Sequence, residues 1–269
     1  MTYPGMRLTR LALFFSFSVA LATAQPTFNA LSRTLRVQSQ YGTGTIFNID
    51  VDGREYWVTA NHIVTGSKGK PYGRIAAKTV DLKILNPGGE GLQWIPVRFT
   101  VLQPTGDVDV VALAPPTLIL STVKNASPPA SSEGLLLGGP CEFLGYALDG
   151  GWRGKTDAGG SFWWPFVKHC TVSGMDTDSR IWILDGINNP GFSGGPVILG
   201  TGDNLKFVAV ISGYYLQPTE VIRGNAAALA PDAPKDVVNL NSGFIVAYDI
   251  AHAVDVIKKN PIGPQRPTK

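Results

Sequence analysis

The chain has 269 residues, 44% of them apolar and 16% charged, with a formal charge of +3 and two cysteines. So slight a positive balance leaves no electrostatic footprint for nucleic acid or an anionic membrane. The sequence also carries no metal-ligand cluster and no phosphate-binding loop, so no cofactor is assigned.

Residues 1–24 have the three-part layout of a secretory signal peptide. Arg7 and Arg10 form a basic start, and Leu11 to Ala22 is an apolar run too short to span a bilayer. Ala22-Thr23-Ala24 then supplies small residues before a cut ahead of Gln25, with no cysteine nearby for a lipid anchor. Cleavage takes the formal charge from +3 to +1 and leaves roughly 245 residues, which suits one large β domain or two small ones. The mature protein is expected to be secreted or periplasmic, with no stable membrane anchor. In that oxidising setting Cys141 and Cys170 are expected to form one disulfide. A metal site there is poorly supported, because only His169 lies close in sequence to either thiol.

The rest reads as β nearly throughout. Gly44 to Val51 is a strand, Asp52-Gly53 a turn pair, and Arg54 to Thr59 the returning strand of a hairpin. Arg74–Ala77, Thr79–Leu85, Trp94–Leu102 and Val108–Leu113 are further strand-like runs. Their length and their Gly, Pro and Asp boundaries favour a barrel or sandwich over βαβ units. The stretch from Ala114 to Gly134 is rich in Pro and Ser and reads as a linker (116–134) after an N-terminal β domain (25–115). It contains the glycosylation sequon Asn125-Ala126-Ser127. A second β domain (135–259) follows, with strands near Glu142–Tyr146, Phe162–Gly174, Ile181–Leu184, Pro196–Leu199, Phe207–Ser212 and Gly243–Ala247. Residues 217–241 read as a long exposed loop. Asp249 to Lys259 reads as an amphipathic helix, and 260–269, with three prolines, as a loose tail.

The stretch Asn189 to Val197, NPGFSGGPV, surrounds Ser193 with glycines. It satisfies G-x-S-x-G, the nucleophile elbow of α/β-hydrolases, and Asp232, Asp236 or Asp249 with His252 would supply the later members. That elbow needs a long helix directly after the serine, whereas Pro196–Leu199 reads as a strand followed by a turn at Gly200–Asn204. His252 also sits in a short amphipathic helix, where a structural histidine is the ordinary expectation.

A second histidine changes the reading. Thr59-Ala60-Asn61-His62-Ile63-Val64 together with Gly191-Phe192-Ser193-Gly194-Gly195-Pro196 resembles the trypsin-like (chymotrypsin-fold) serine peptidases of the secreted and bacterial type. Gly42-Thr43-Gly44-Thr45-Ile46-Phe47 looks like the strand that precedes the histidine in those members. The two motifs stand about 130 residues apart, and the resemblance covers most of Tyr41 to Lys259. It implies an all-β fold of two six-stranded antiparallel barrels with a short C-terminal helix. It also implies His62 as general base and Ser193 as nucleophile, with the Gly191 and Ser193 N–H groups as the oxyanion hole. A serine hydroxyl is a poor nucleophile until an imidazole takes its proton, and a buried carboxylate then holds the imidazole tautomer.

The family places that acid between the histidine and the serine, heading an apolar strand. Asp81 comes only 19 residues after His62. Asp107 and Asp109 both flank Val108, and strand alternation would put them on one face. Asp109 is preferred because Val110-Val111-Ala112-Leu113 follows it in the family's manner. The resemblance further implies a substrate-binding strand at Ser212-Gly213-Tyr214, starting 19 residues after Ser193, whose backbone would pair with an extended peptide. Ile187, six before the nucleophile, would line the bottom of the specificity pocket, with Gly243 beside it. Ile187 is not acidic, so an Arg or Lys preference is not expected. Phe192 stands where self-activating members carry an aspartate, so no activating cut beyond signal removal is expected. The expected function is a secreted serine endopeptidase acting on polypeptides. The alternatives are a peptide-binding module without turnover, and an esterase.

Overall fold

The computed structural model describes residues 25–67, 69–86, 93–120, 126–155, 161–222 and 235–267. The signal segment 1–24 lies outside them. After a short helix, α1 (Gln25–Ser32), the chain builds β1 (Thr34–Ser39), β2 (Gly42–Val51), β3 (Arg54–Thr59), β4 (Thr79–Asn86), β5 (Gln93–Leu102) and β6 (Val111–Ala114). These close into an antiparallel barrel in the order β1-β2-β3-β6-β5-β4. The β2–β3 turn holds Asp52 at φ 50° and Gly53 at φ 72°. Two left-handed residues give the hairpin the twist its strands need. A one-turn helix, α2 (Asn61–Thr65), leaves the end of β3.

The second half contains β7 (Pro140–Gly145), β8 (Trp152–Lys155), β9 (Ser161–Trp164), β10 (Phe166–Asp176), β11 (Ile181–Asp185), β12 (Pro196–Leu199), β13 (Lys206–Ile222) and β14 (Lys235–Asp249). Six of these close a second barrel in the order β10-β11-β14-β13-β12-β7, while β8 and β9 form a separate ribbon. Helix α3 (Ala251–Lys259) follows. The all-β double barrel is therefore present, and the Cys141–Cys170 disulfide joins directly opposed residues of β7 and β10. Among the described residues no helix is long and apolar enough to cross a membrane. The barrels share core: Phe47 of β2 meets Phe207 of β13 with ring centres 5.1 Å apart. A pair of this kind is worth about 0.5–1.5 kcal/mol beyond its buried area.

Four local readings change. Arg74–Ala77 has no strand pairing. Phe162–Gly174 is split by Pro165 into β9 and β10, since proline brings no N–H to a ladder. The described ends of 217–241 are not loop: β13 and β14 continue as a paired ribbon out to Ile222 opposite Lys235. Thr219, Val221, Val237 and Val238 supply the β-branched residues that such a ribbon favours. The ribbon's tip, 223–234, lies outside the described residues. Finally, residues 261–267 are tied to the first barrel. Arg266 reaches Asp50 at 2.7 Å and Glu55 at 2.9 Å, and the Gly263 N–H donates to the Tyr56 hydroxyl at 3.0 Å. The charges of β2 and β3 recruit the tail despite its prolines. Upstream, Ala130 bridges in parallel to Phe207, so residues 129–131 run along the second barrel.

Candidate active site

His62 owes its position to a local stop signal. Helix α2 ends at Gly66, which is left-handed at φ 77° and returns its N–H to the His62 carbonyl. A side chain at Gly66 would run into the Tyr41 ring. Asn61, buried beside the histidine, donates its amide to the Gly73 carbonyl at 2.8 Å.

Asp109 is fully buried and grips His62 twice. Oδ1 accepts the His62 backbone N–H at 2.8 Å, and Oδ2 faces Nδ1 at 2.7 Å. A carboxylate on Nδ1 keeps the proton there and leaves Nε2 as the acceptor. The Ser212 hydroxyl donates to the same Oδ2 at 2.5 Å, and Tyr72 Oη stands 3.5 Å from that hydroxyl. Asp107 lies outside this group. It is exposed and accepts the Tyr72 backbone N–H at 2.6 Å. The alternation that put both aspartates on one face does not hold, because β6 begins only at Val111 and 105–110 is irregular, bent chain. Asp81 is exposed and paired with Arg98 at 2.8 Å.

Ser193 lies in the loop between β11 and β12. Gly191 and Gly194 are left-handed at φ 102° and 82°. A Cβ on the first would strike the Tyr146 carbonyl, and on the second the Thr45 carbonyl and Thr59 hydroxyl. Only glycine can make these approaches. Thr45, fully buried on β2, clamps the loop from the other barrel. Its N–H donates to the Ser193 carbonyl at 2.8 Å, and its hydroxyl to the Gly191 carbonyl at 2.7 Å. The Tyr146 N–H in turn donates to that hydroxyl at 3.2 Å.

The peptide planes follow from these bonds. Pro190 O accepts the Leu148 N–H at 2.9 Å, and Phe192 O accepts the Gly195 N–H at 2.8 Å. In a trans peptide the N–H points opposite its carbonyl. The Gly191 and Ser193 N–H groups are therefore aimed away from those partners, and neither donates to a described protein group. The Ser193 hydroxyl hydrogen-bonds the Ser212 carbonyl at 3.1 Å and not the His62 ring. Phe192 is fully buried, with its ring centre 5.0 Å from that of Phe143.

The residues expected to bind substrate form a looser group. Ile187 is 63% exposed, and its carbonyl takes the Lys168 ammonium at 2.6 Å. Burial pulls the Lys168 pKa below the ordinary lysine value. Gly213 and Gly243 each have open space where a Cβ would point, and the Gly186 N–H donates to the Gly243 carbonyl at 2.8 Å. Tyr214 is half-buried and pairs with Ile245. β12 pairs with β13 only as far as Val210, and from Ser212 onward no described strand pairs with β13 on that side; side chains of Ser193 and Asn188 meet the Ser212 and Gly213 carbonyls instead.

Thr45, Tyr72, Lys168 and Asn188 escaped sequence reasoning. Asn188 is buried, donates its amide to the Gly213 carbonyl at 3.2 Å, and leaves its Oδ1 unpartnered. A polar pair just before the nucleophile motif was the only signal for it. The alternative site is not assembled. His252 Nε2 donates to the Ser179 carbonyl at 3.1 Å, burial lowers its pKa, and Asp249 serves Trp182 and the Ala251 N–H. Asp236 belongs to the β14 ribbon, and Asp232 lies outside the described residues.

No protein-family profile and no curated protein sequence matches the chain. Solved structures do. The HtrA-type protease AlgW, solved with a tripeptide, superposes with a TM-score of 0.52 at 13% identity. That match covers 87% of this chain, which spans 61% of AlgW's length. The thermostable serine protease AL20, from an extremophilic microorganism, gives 0.54 at 13% identity over 86% of this chain and 100% of its own. The protease Anisep from Arthrobacter nicotinovorans gives 0.50 at 12% identity over 82% and 91%. The fold is thus that of the trypsin-like serine proteases.

Proposed function

We propose that the protein is a secreted or periplasmic serine endopeptidase, with residues 1–24 removed, acting on polypeptides through Ser193, His62 and Asp109. The observation that carries this reading is the buried Asp109 carboxylate. It meets both the backbone and the ring of His62, and through Ser212 it reaches β13, whose Ser212 carbonyl takes the Ser193 hydroxyl. The fold shared with three proteases supports it.

A substrate strand pairs with β13 at Ser212-Gly213-Tyr214, where no described strand pairs on that side, and its leading side chain enters the space bounded by Ile187, Gly213 and Gly243. The Ser193 hydroxyl swings from the Ser212 carbonyl to His62 Nε2, a contact that commonly tightens only with substrate bound. Oγ attacks the carbonyl carbon, Nε2 takes the proton, and the oxyanion forms against the Gly191 and Ser193 N–H groups. Each such donor is worth about 10²–10³ in rate. His62 then passes the proton to the leaving amine, and water repeats the sequence on the acyl-enzyme. Asp109 stabilises the imidazolium in both halves.

The test is labelling with a fluorophosphonate probe, with turnover of casein and of a p-nitrophenyl ester measured on wild type and Ser193→Ala. Labelling with casein cleavage, both lost in Ser193→Ala, supports the reading. Labelling with ester turnover alone makes the protein an esterase, and absence of labelling makes it a binding module.

A further inference from the structure

Lys168 stands on β10 and directs its whole donor set at the nucleophile loop. Nζ lies 2.6 Å from the Ile187 carbonyl, 2.5 Å from Asn189 Oδ1 and 5.5 Å from the centre of the Phe192 ring. An ammonium has three N–H groups and no acceptor. A carbonyl and an amide oxygen take two of them, and the aromatic face lies within cation–π range. No described carboxylate pairs with Lys168. The charged pair next along the two strands, His169 and Glu142, face each other at 3.4 Å instead.

Lys168 is only half-buried, so its ammonium is held over the loop by these contacts and not by enclosure; methionine would pack the same stem but make neither hydrogen bond. What the ammonium supplies is convergence. Three groups spread over six residues, 187 to 192, meet one atom, and only one path of the loop allows that. The same path leads to the oxyanion donors. Asn189 O accepts the Phe192 N–H at 3.2 Å, closing the turn that carries Gly191. Phe192, pinned under the ammonium and against Phe143, sets the peptide whose N–H belongs to Ser193. Thr45 holds the loop's carbonyls from the first barrel, and Lys168 holds it from β10.

We propose that Lys168 is a positioning residue whose ammonium locks the 187–193 loop in the arrangement that leaves the Gly191 and Ser193 N–H groups bare for an oxyanion. Its catalytic meaning rests on the peptidase reading above; the locking itself does not. The charge is the active feature, so arginine retains the function and methionine loses it.

The experiment compares wild type, Lys168→Met and Lys168→Arg in the full chain, by amide hydrogen exchange of peptides covering 187–193 and by the second-order rate of fluorophosphonate labelling. In Lys168→Met the loop exchanges faster and labelling slows by roughly 10- to 100-fold, the range for a reacting group displaced by about an ångström. The melting temperature stays within a few degrees of wild type, and Lys168→Arg keeps slow exchange. A Met variant exchanging like wild type overturns the proposal, as does an Arg variant exchanging as fast as the Met variant. A wild type that does not label overturns the peptidase reading alone, because exchange still reports on Lys168.

Discussion

Asp109→Asn is the most discriminating change, because the two contacts of Asp109 with His62 fix how an asparagine must sit. The His62 backbone N–H, 2.8 Å from Oδ1, can only donate. The amide oxygen must therefore stay at that position, which forces the NH2 group into the Oδ2 position, 2.7 Å from Nδ1. An NH2 group facing Nδ1 requires Nδ1 to accept, so the ring proton moves to Nε2. The tautomer is then reversed, and Nε2 cannot take the Ser193 proton. The Ser212 hydroxyl adapts by rotating from donor to acceptor, so the fold itself tolerates the change. Reversal of this kind costs about 10⁴ in kcat, or about 5.5 kcal/mol at the transition state. Asp107→Asn is the control. Its Oδ1 accepts only the Tyr72 N–H, which an amide oxygen serves equally, so activity stays within about threefold. The assay is initial-rate peptide hydrolysis beside fluorophosphonate labelling, with melting temperatures to establish folding. A folded Asp109→Asn that keeps a tenth of wild-type activity, or an Asp107→Asn that loses as much, refutes the assignment.

Three further outcomes follow from single contacts. Thr45→Val leaves the Gly191 carbonyl and Tyr146 N–H buried without their partner; at about 1–3 kcal/mol for each group, calorimetry should register a lower melting temperature, while Thr45→Ser stays near wild type. Arg266→Ala removes the cation facing the buried Glu55 carboxylate, which keeps only the Trp57 and Ile119 N–H groups, while the tail's backbone bonds remain. A loss of about 3 kcal/mol lowers the melting temperature by roughly 6–12 °C for a chain of this size, and no change would mean that the ion pair adds nothing to stability. For His252, burial lowers the folded pKa below its unfolded value of 6.5. The unfolded chain therefore binds more protons below that pH. The stability from His252 is complete above about 6.5 and is lost as pH falls toward its folded pKa. His252→Gln should flatten denaturant stability between pH 7 and 5 relative to wild type, and parallel curves would contradict the sign.

What was legible in the sequence is what depends on neighbours along the chain. The β2–β3 hairpin followed from Asp52-Gly53, and the strand after Ser193 followed from Pro196-Val197-Ile198-Leu199. Helix α3 followed from its apolar spacing, two residues late at its start because Asp249 completes β14. What was not legible depends on long-range pairing. Residues 217–241 look like a loop because Pro218 and the asparagines are poor strand formers, yet β13 and β14 template each other from the barrel outward. The last residues look loose because three prolines say nothing of Arg266 meeting Asp50 and Glu55 more than 200 positions upstream. Asp107 and Asp109 were inseparable by alternation because the bent, irregular chain at 105–110 places one inside and one outside.

The site itself divides along the same line. His62 and Ser193 announce themselves through motifs because the chemistry proposed for them demands local backbone geometry: a capped helical turn for one, a glycine bend for the other. Their supports do not, because a support need only reach. Thr45 acts from the first barrel, on a loop 146 residues away; Lys168 acts from a neighbouring strand, and Ser212 and Tyr72 act on the acid from opposite halves of the chain. The Gly191–Ser193 bend therefore draws on both barrels: β2 satisfies the Gly191 and Ser193 carbonyls, while β7, β10 and β13 of the second barrel take the Phe192 ring and the Ser193 hydroxyl. A barrel expressed alone would carry the nucleophile motif without the bend. If the halves are separated at the linker, recombining them should restore probe labelling only as the barrels associate, with a rate that depends on concentration. Labelling of the isolated second half at the full-chain rate would show that the bend is intrinsic and that Thr45 is dispensable.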